Sequence, residues 1–414
     1  MLNFLLFCVV VLIIVAVCFL LRVMNHGLWR KILYKMHLWL GIISGLVLFI
    51  VCLTGTLLVF ERDIIKFWEC DKYFVSYPNK LPLNIDDLVA KVEQNTNSKV
   101  CLVAMPNHRI DTTMSYIVVI KKENSKNTET ERNVRYEDYM IDPYTGEMLG
   151  KRVSPLRNFF IVITKLHTSL FLPSPIGKFV VGSATLIFVV IVLSGLCLWL
   201  PINFCNKKSW TNGLLIRFRK GKNQLLFDLH KTLGFYALIP ILLMALTGLA
   251  WSFQWYNKGV QMIFHAESSS NHRIKSSPKN SDARRLPLDF FDKKADEMLA
   301  PNKGGFRMFF IPDNNDDSVM VIEYRQGMLQ LAADDKIQFD QYTGEALQFD
   351  HFENIPLGTK IISLFPVLHY GRILGLPTKI IFFLACLIAT TLPITGVIIW
   401  WRKLRKIRKN EGRK

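Results

Sequence analysis

Aspartate and glutamate are missing from five long apolar runs, at 2–21, 38–60, 179–200, 233–253 and 380–401. A proton relay through such segments would normally need acidic partners at depth, so their absence weighs against one. Cys-x-x-Cys does not occur, which excludes a thioredoxin-type site, and Cys-x-x-Cys-His is also absent, which excludes covalent haem attachment. There is no dinucleotide-binding glycine signature. Cys8, Cys18, Cys52, Cys197 and Cys386 fall inside the apolar runs and read as small hydrophobes. Cys70 and Cys101 share one polar segment, where pairing would require an oxidising compartment.

What is present reads as a membrane protein. Half of the 414 residues are apolar, and each run is long enough for a hydrocarbon core of roughly 30 Å. The net charge of +18 invites a nucleic-acid reading, but its placement argues otherwise. Basic residues crowd 22–35, 207–231 and 402–414, short segments beside apolar runs, as the positive-inside rule expects of cytoplasmic stretches. Residues 61–157 and 256–360 then lie outside, and the C-terminus lies inside. The run at 2–21 lacks a basic n-region and a clear small-residue cleavage site, so it is expected to be an uncleaved anchor.

The chain reads as a tandem duplication of about 200 residues. His37 to Gly55 and His230 to Gly248 share one pattern: His, three residues, Gly, then an apolar run ending in Thr-Gly. The outer segments share LPL at 81–83 and 286–288, an amphipathic stretch, two strand-like runs, and then IDPYTGEML at 141–149 against FDQYTGEAL at 339–347. Asp-x-Tyr-Thr-Gly-Glu between strand-forming residues is a hairpin signal, and Asp142 and Asp340 read as turn residues rather than catalytic ones. A second histidine in each half, His167 and His369, precedes a proline and then an apolar run carrying Ser194-Gly195 or Thr395-Gly396. Each half crosses twice, so the repeats are parallel, with a pseudo-twofold axis along the membrane normal.

Of nine histidines only these four have repeat partners; His26, His108, His265, His272 and His351 read as loop or surface residues. Topology sets His37 and His230 near the cytoplasmic face and His167 and His369 near the outer face, each like pair facing across the axis. Interfacial hydrogen bonding is the plain reading of any one of them. Two imidazoles are too few for a structural zinc site, but they are the axial set of a six-coordinate haem. Gly41 and Gly234 stand four residues after His37 and His230, on the same helix face, and would leave room for a flat macrocycle. Close helix packing through small residues is the competing reading of the glycines. Arg157, Lys165 and Arg372 lie toward the outer face, where they would meet an anionic chelate, haem propionates or lipid headgroups.

KMHLWLGIISG at 35–45, DPYTGE at 142–147, KLHTSLFL at 165–172, FDLHKTLGFY at 227–236, DQYTGE at 340–345 and LHYGRILG at 368–375 form an ordered set. It resembles the PepSY-associated transmembrane proteins, or PepSY-domain iron-regulated membrane proteins, over about residues 29–402. The resemblance implies an α-helical membrane bundle of four core helices as two parallel repeats, plus an N-terminal membrane helix, with two small α+β periplasmic PepSY-like domains. The expected divisions are 1–28 anchor, 29–60 membrane helix, 61–157 outer domain, 158–201 interfacial segment and membrane helix, and 202–222 cytoplasmic linker. The second half divides into 223–255 membrane helix, 256–360 outer domain, 361–402 interfacial segment and membrane helix, and 403–414 basic tail.

The family also implies a bacterial inner-membrane location, and some members look like ferric-siderophore reductases with b-type haem. On that basis the chain is expected to hold two non-covalent b-type haems, ligated by His37 with His230 and by His167 with His369. It would act as an oxidoreductase that passes electrons to a ferric siderophore or other ferric chelate in the periplasm. Without a flavodoxin or reductase domain, its electrons would come from a quinol or a separate cytoplasmic reductase. A non-enzymatic role as an uptake permease or a peptidase-regulating protein is the alternative.

Overall fold

The computed structural model describes residues 27–76, 81–106, 112–123, 134–201, 205–266, 273–276, 284–299, 304–325 and 332–411. The run at 2–21 and His26, His108 and His272 lie outside the described residues. Among those described, four helices are long and apolar enough to cross a membrane: α1 (Gly27–Leu58), α2 (Ser174–Trp199), α3 (Lys222–Ser252) and α4 (Leu376–Glu411). Helix α4 does not stop at its apolar run but continues through the basic stretch expected as a separate tail. α1 packs on α2 and α4, and α3 packs on the same two, so α1 and α3 occupy opposite corners of a four-helix bundle. Many apolar side chains point outward, including Ile43, Leu46, Phe179 and Ile381. A helix apolar on its outer face suits lipid rather than water.

Local chemistry sets where these helices begin and bend. Gly221 precedes α3 at φ +83°. At Leu229–Leu233 the α3 helix widens into a π turn, and His230 lies within it. Such turns shift the register of everything beyond them. Pro240 and Pro393 interrupt the hydrogen-bond ladders of α3 and α4. Before α2, a shorter helix (Pro155–Ser169) opens with the Ser154 side chain accepting from Arg157 N–H and closes at Leu170 in the left-handed region. His167 therefore stands in its last turn. His369 likewise ends a five-residue helix, Phe365–His369.

The segments expected as two small domains share one sheet. Its order is β4-β3-β2-β1-β5-β6-β7-β8, two antiparallel meanders joined where β1 (Lys99–Pro106) pairs with β5 (Gly304–Phe310). The remaining strands are β2 (Tyr116–Glu123), β3 (Val134–Ile141), β4 (Met148–Lys151), β6 (Val319–Arg325), β7 (Asp334–Phe339) and β8 (Ala346–Asp350). Pairing β1 with β5 removes the inner edge that each meander would leave open. Helices Ile85–Thr96 and Leu288–Met298 bury Leu88, Val92, Phe291 and Ala295 against Val103, Val118, Phe309 and Ile337 in one core. The two helices cap one another. Asp86 accepts from the Leu288 and Asp289 N–H groups at 2.9 and 3.0 Å, and Asp289 accepts from Ile85 N–H at 2.8 Å. Burial raises the Asp289 carboxyl above its ordinary value.

Asp142 and Asp340 are turn residues: each accepts from the N–H two residues on, at 2.7 and 2.8 Å, with Gly146 and Gly344 at φ +72° and +71°. Cys70 and Cys101 are free thiols.

Candidate functional site

The four recurrent histidines meet as two pairs. His37 of α1 and His230 of α3 come from the opposite corners of the bundle, and their ring centroids lie 6.3 Å apart. His167 and His369 arrive on the short helices at the sheet end, with centroids 6.4 Å apart. Along α1, His37 and Thr54 are separated by roughly 26 Å at ~1.5 Å per residue. Because Thr54 bonds His167, the two pairs sit toward opposite ends of the bundle. His265 and His351 join neither pair. His265 is exposed, and His351 accepts from Glu353 N–H at 3.1 Å.

One device holds all four rings. His37 Nδ1 lies 3.1 Å from both Ile191 C=O and Ser194 Oγ of α2. His167 Nδ1 lies 3.0 Å from both Val51 C=O and Thr54 Oγ1 of α1. His369 Nδ1 lies 3.0 Å from Met244 C=O and 3.1 Å from Thr247 Oγ1 of α3. His230 Nδ1 lies 2.9 Å from Thr395 Oγ1 of α4. Each hydroxyl also donates to its own helix: Thr54 to Ile50 C=O, Ser194 to Ile191 C=O, Thr247 to Leu243 C=O and Thr395 to Thr391 C=O. At His37, His167 and His369 the shared carbonyl can only accept, so Nδ1 carries the ring proton there and the lone pair is left on Nε2; at His230 the Thr395 hydroxyl, already donating to its own helix, favours the same tautomer.

Each hydroxyl residue is followed by a glycine that faces the held ring. A Cβ at Gly248 would stand 3.0 Å from His369 Cε1; at Gly195, 3.1 Å from His37 Cε1; at Gly55, 3.3 Å from His167 Cε1; and at Gly396, 3.4 Å from His230 Cε1. The Ser-Gly and Thr-Gly pairs are thus seats for imidazoles, a role that their recurrence marks but does not explain. Gly41 has no heavy atom within 4 Å of its would-be Cβ, whereas Gly234 faces Leu392 at 3.7 Å.

The ends of the bundle differ. Beneath His230, Asp228 is fully buried and paired with Arg217 through Nη2 at 2.7 Å and Nε at 2.8 Å. Trp199 stacks on Phe235 at 3.6 Å and donates to Gly213 C=O at 3.1 Å, tying the linker to the helices. At the sheet end, Trp251 meets His369 edge-on at 5.0 Å. Of the three outer basic residues, Lys165 is exposed, while Arg157 and Arg372 are half-buried.

Among the described residues no three His, Cys, Asp or Glu side chains cluster as a metal-binding group. Any metal at these pairs would need the rest of its ligands from a cofactor. A search of curated proteins returns no match. The family model for the PepSY-associated TM region matches residues 34–403, a span that contains all four paired histidines. With four membrane-length apolar helices among the described residues, the chain is a multi-pass membrane protein belonging to the PepSY-associated TM family.

Proposed function

We propose that the protein carries two b-type haems and moves electrons across a bacterial inner membrane to a ferric siderophore or other ferric chelate on the periplasmic side. His37 and His230 ligate the haem at the linker end; His167 and His369 ligate the haem at the sheet end. The linker and C-terminus are cytoplasmic, and the sheet is the pair of PepSY-like domains. A quinol or a cytoplasmic reductase supplies the electrons.

The carrying observation is the uniform preparation of the four imidazoles. A metal held between two imidazoles would need a nitrogen of each ring within reach at once, so the two rings of a pair must lie close together. The observed separations are 6.3 and 6.4 Å. Every Nδ1 is held by a hydroxyl, as ligating histidines usually are, so Nε2 is the nitrogen free to bind. Open space beside Gly41 suits a flat ring.

When bound, the haems supply one-electron chemistry between ferric and ferrous iron. The chain supplies position. Helices α1 and α3 each present one imidazole at the linker end and hold another at the sheet end, which fixes both pairs on the same two rods. The apolar bundle between them, with Ala237, Ile241, Ala385 and Ala389 closely packed, excludes water and ions.

The protein purified from haem-sufficient cells should be red, with a reduced-minus-oxidised Soret shift and two haems per chain. Reoxidation of the dithionite-reduced protein by ferric siderophores would establish the acceptor. A colourless preparation would sink the reading.

A further inference from the structure

The sheet-end histidine pair has unequal surroundings. Past His167 the chain runs Thr168, Ser169, Leu170 and Phe171; past His369 it runs Tyr370, Gly371 and Arg372. Leu170 thus stands three residues beyond its histidine, where the second half has Arg372. Trp251 stacks on Tyr370 at 6.4 Å as well as meeting His369, and the Arg372 guanidinium lies over the Tyr370 ring at 5.4 Å. One flank of the pair carries no charge, and the other is aromatic with a cation.

Arg372 is held firmly yet left unsatisfied. Gly371 has φ +64°, and a Cβ there would run into the Phe382 ring at 2.6 Å, so the loop is pressed against α4. Arg372 N–H donates to Val367 C=O at 2.9 Å, and Gly375 N–H donates to Arg372 C=O at 3.1 Å. Its Nε is buried without a hydrogen-bond partner, and its guanidinium makes no hydrogen bond or ion pair among the described residues. Two acids lie near it: Asp63 is bound instead to Lys379 at 2.7 and 2.9 Å, and Glu61 makes no ion pair with it. Arg62 adds a like charge nearby. A buried N–H with no acceptor is costly, and a guanidinium fork matches a carboxylate in shape and charge.

We infer that Arg372, flanked by Tyr370 and Trp251, is a carboxylate-binding position beside the sheet-end histidine pair. The carboxylate is a propionate of the haem or belongs to the incoming ferric chelate. The identity of either source rests on the haem reading above; the carboxylate site itself does not.

The test uses full-length detergent-solubilised protein with Arg372→Gln, Arg372→Lys and, as a surface-charge control, Lys165→Gln. One arm measures the reduction potential of the sheet-end haem, loaded with haem or with its dimethyl ester. The other measures ferric citrate binding by equilibrium dialysis. If the propionate is bound, R372Q lowers the potential with haem but not with the ester, and citrate binding is unchanged. If the chelate is bound, R372Q weakens citrate about tenfold and leaves the potential unchanged, as expected for a lost charge-assisted hydrogen bond. R372K keeps the charge without the fork; it should fold normally and fall between. The inference is overturned if R372Q alters neither reading, or if K165Q matches it in both. A protein that binds no haem defeats the functional reading, yet dialysis on that same chain still decides the carboxylate site. Weaker citrate binding in R372Q upholds it, and equal binding overturns it.

Discussion

The linker-end and sheet-end histidine pairs are built by one rule from different parts. At the linker end, both rings grow from membrane-length helices and are held by α2 and α4. At the sheet end, both rings ride on short helices and are held by α1 and α3. The separations nevertheless agree, at 6.3 and 6.4 Å. Ring placement therefore depends on the seat, a hydroxyl with a glycine beside it, more than on the element that delivers the histidine. The delivering element sets what surrounds the ring. The linker end has a buried carboxylate paired with an arginine and a tied-down loop; the sheet end has aromatic side chains and an arginine whose buried Nε has no hydrogen-bond partner.

The strongest way to break this comparison is to remove a ring from each pair. On the haem proposal, His37→Ala and His369→Ala should each lower haem content from about two per chain to about one, measured as the pyridine haemochrome. Loss of both haems from either variant would show that the pairs are not separate sites. Asp228→Ala comes next. It removes the buried carboxylate that holds Arg217, two residues from His230. On mild heating the linker-end haem should be released first and the sheet-end haem retained, followed in the Soret band. Simultaneous release would mean that the ion pair supports the whole bundle rather than one end.

The glycines sharpen the comparison further. A methyl at Gly248 would press on His369 at 3.0 Å, while one at Gly396 meets His230 at 3.4 Å, ordinary van der Waals contact. Gly248→Ala should perturb the low-spin resonance signal of the sheet-end haem and weaken its retention several-fold. Gly396→Ala should leave the linker-end signal unchanged. Equal effects would mean that ring seating does not depend on the space beside the glycine.

Some of this was legible in the residues and some was not. The four long helices follow from charge-free runs bounded by basic segments, a pattern that depends only on local composition. The histidines stood out by recurrence, and so did the Asp142 and Asp340 turns. The Ser-Gly and Thr-Gly pairs recurred as visibly, but their purpose is a contact between residues far apart in the chain, such as Ile191 with His37. No local pattern encodes such a contact. The single sheet was hidden for the same reason: strand edges carry no label for their partner, and β1 with β5 reads like any two strands. The π turn at His230 was also invisible, because Leu229–Leu233 contains nothing that an α-helix would refuse. Arg372 looked like any interfacial arginine until its neighbours were known to be taken.

The smallest effect expected concerns the sheet and separates its stability from that of the bundle. Glu137 of β3 lies 3.0 Å from Lys151 and 3.3 Å from Lys122, and accepts from the Tyr139 hydroxyl at 2.9 Å. The Lys151 contact comes first among the causes that hold its carboxyl down at about 2, against an ordinary 4.5. A depressed carboxyl stabilises the folded state at pH values above its unfolded value, and that stability disappears as pH falls through the folded one. The window thus runs from 4.5 down to about 2. Glu137→Gln should lower the melting temperature of the sheet modestly at pH 7. The gap from the parent should narrow below 4.5 and close near 2. Haem release at neutral pH should not change, since Glu137 touches neither histidine pair. A gap that persists unchanged to the acid limit would mean that the substituted amide fails by its shape, and the charge cluster on β3 would then contribute nothing to holding the first meander together.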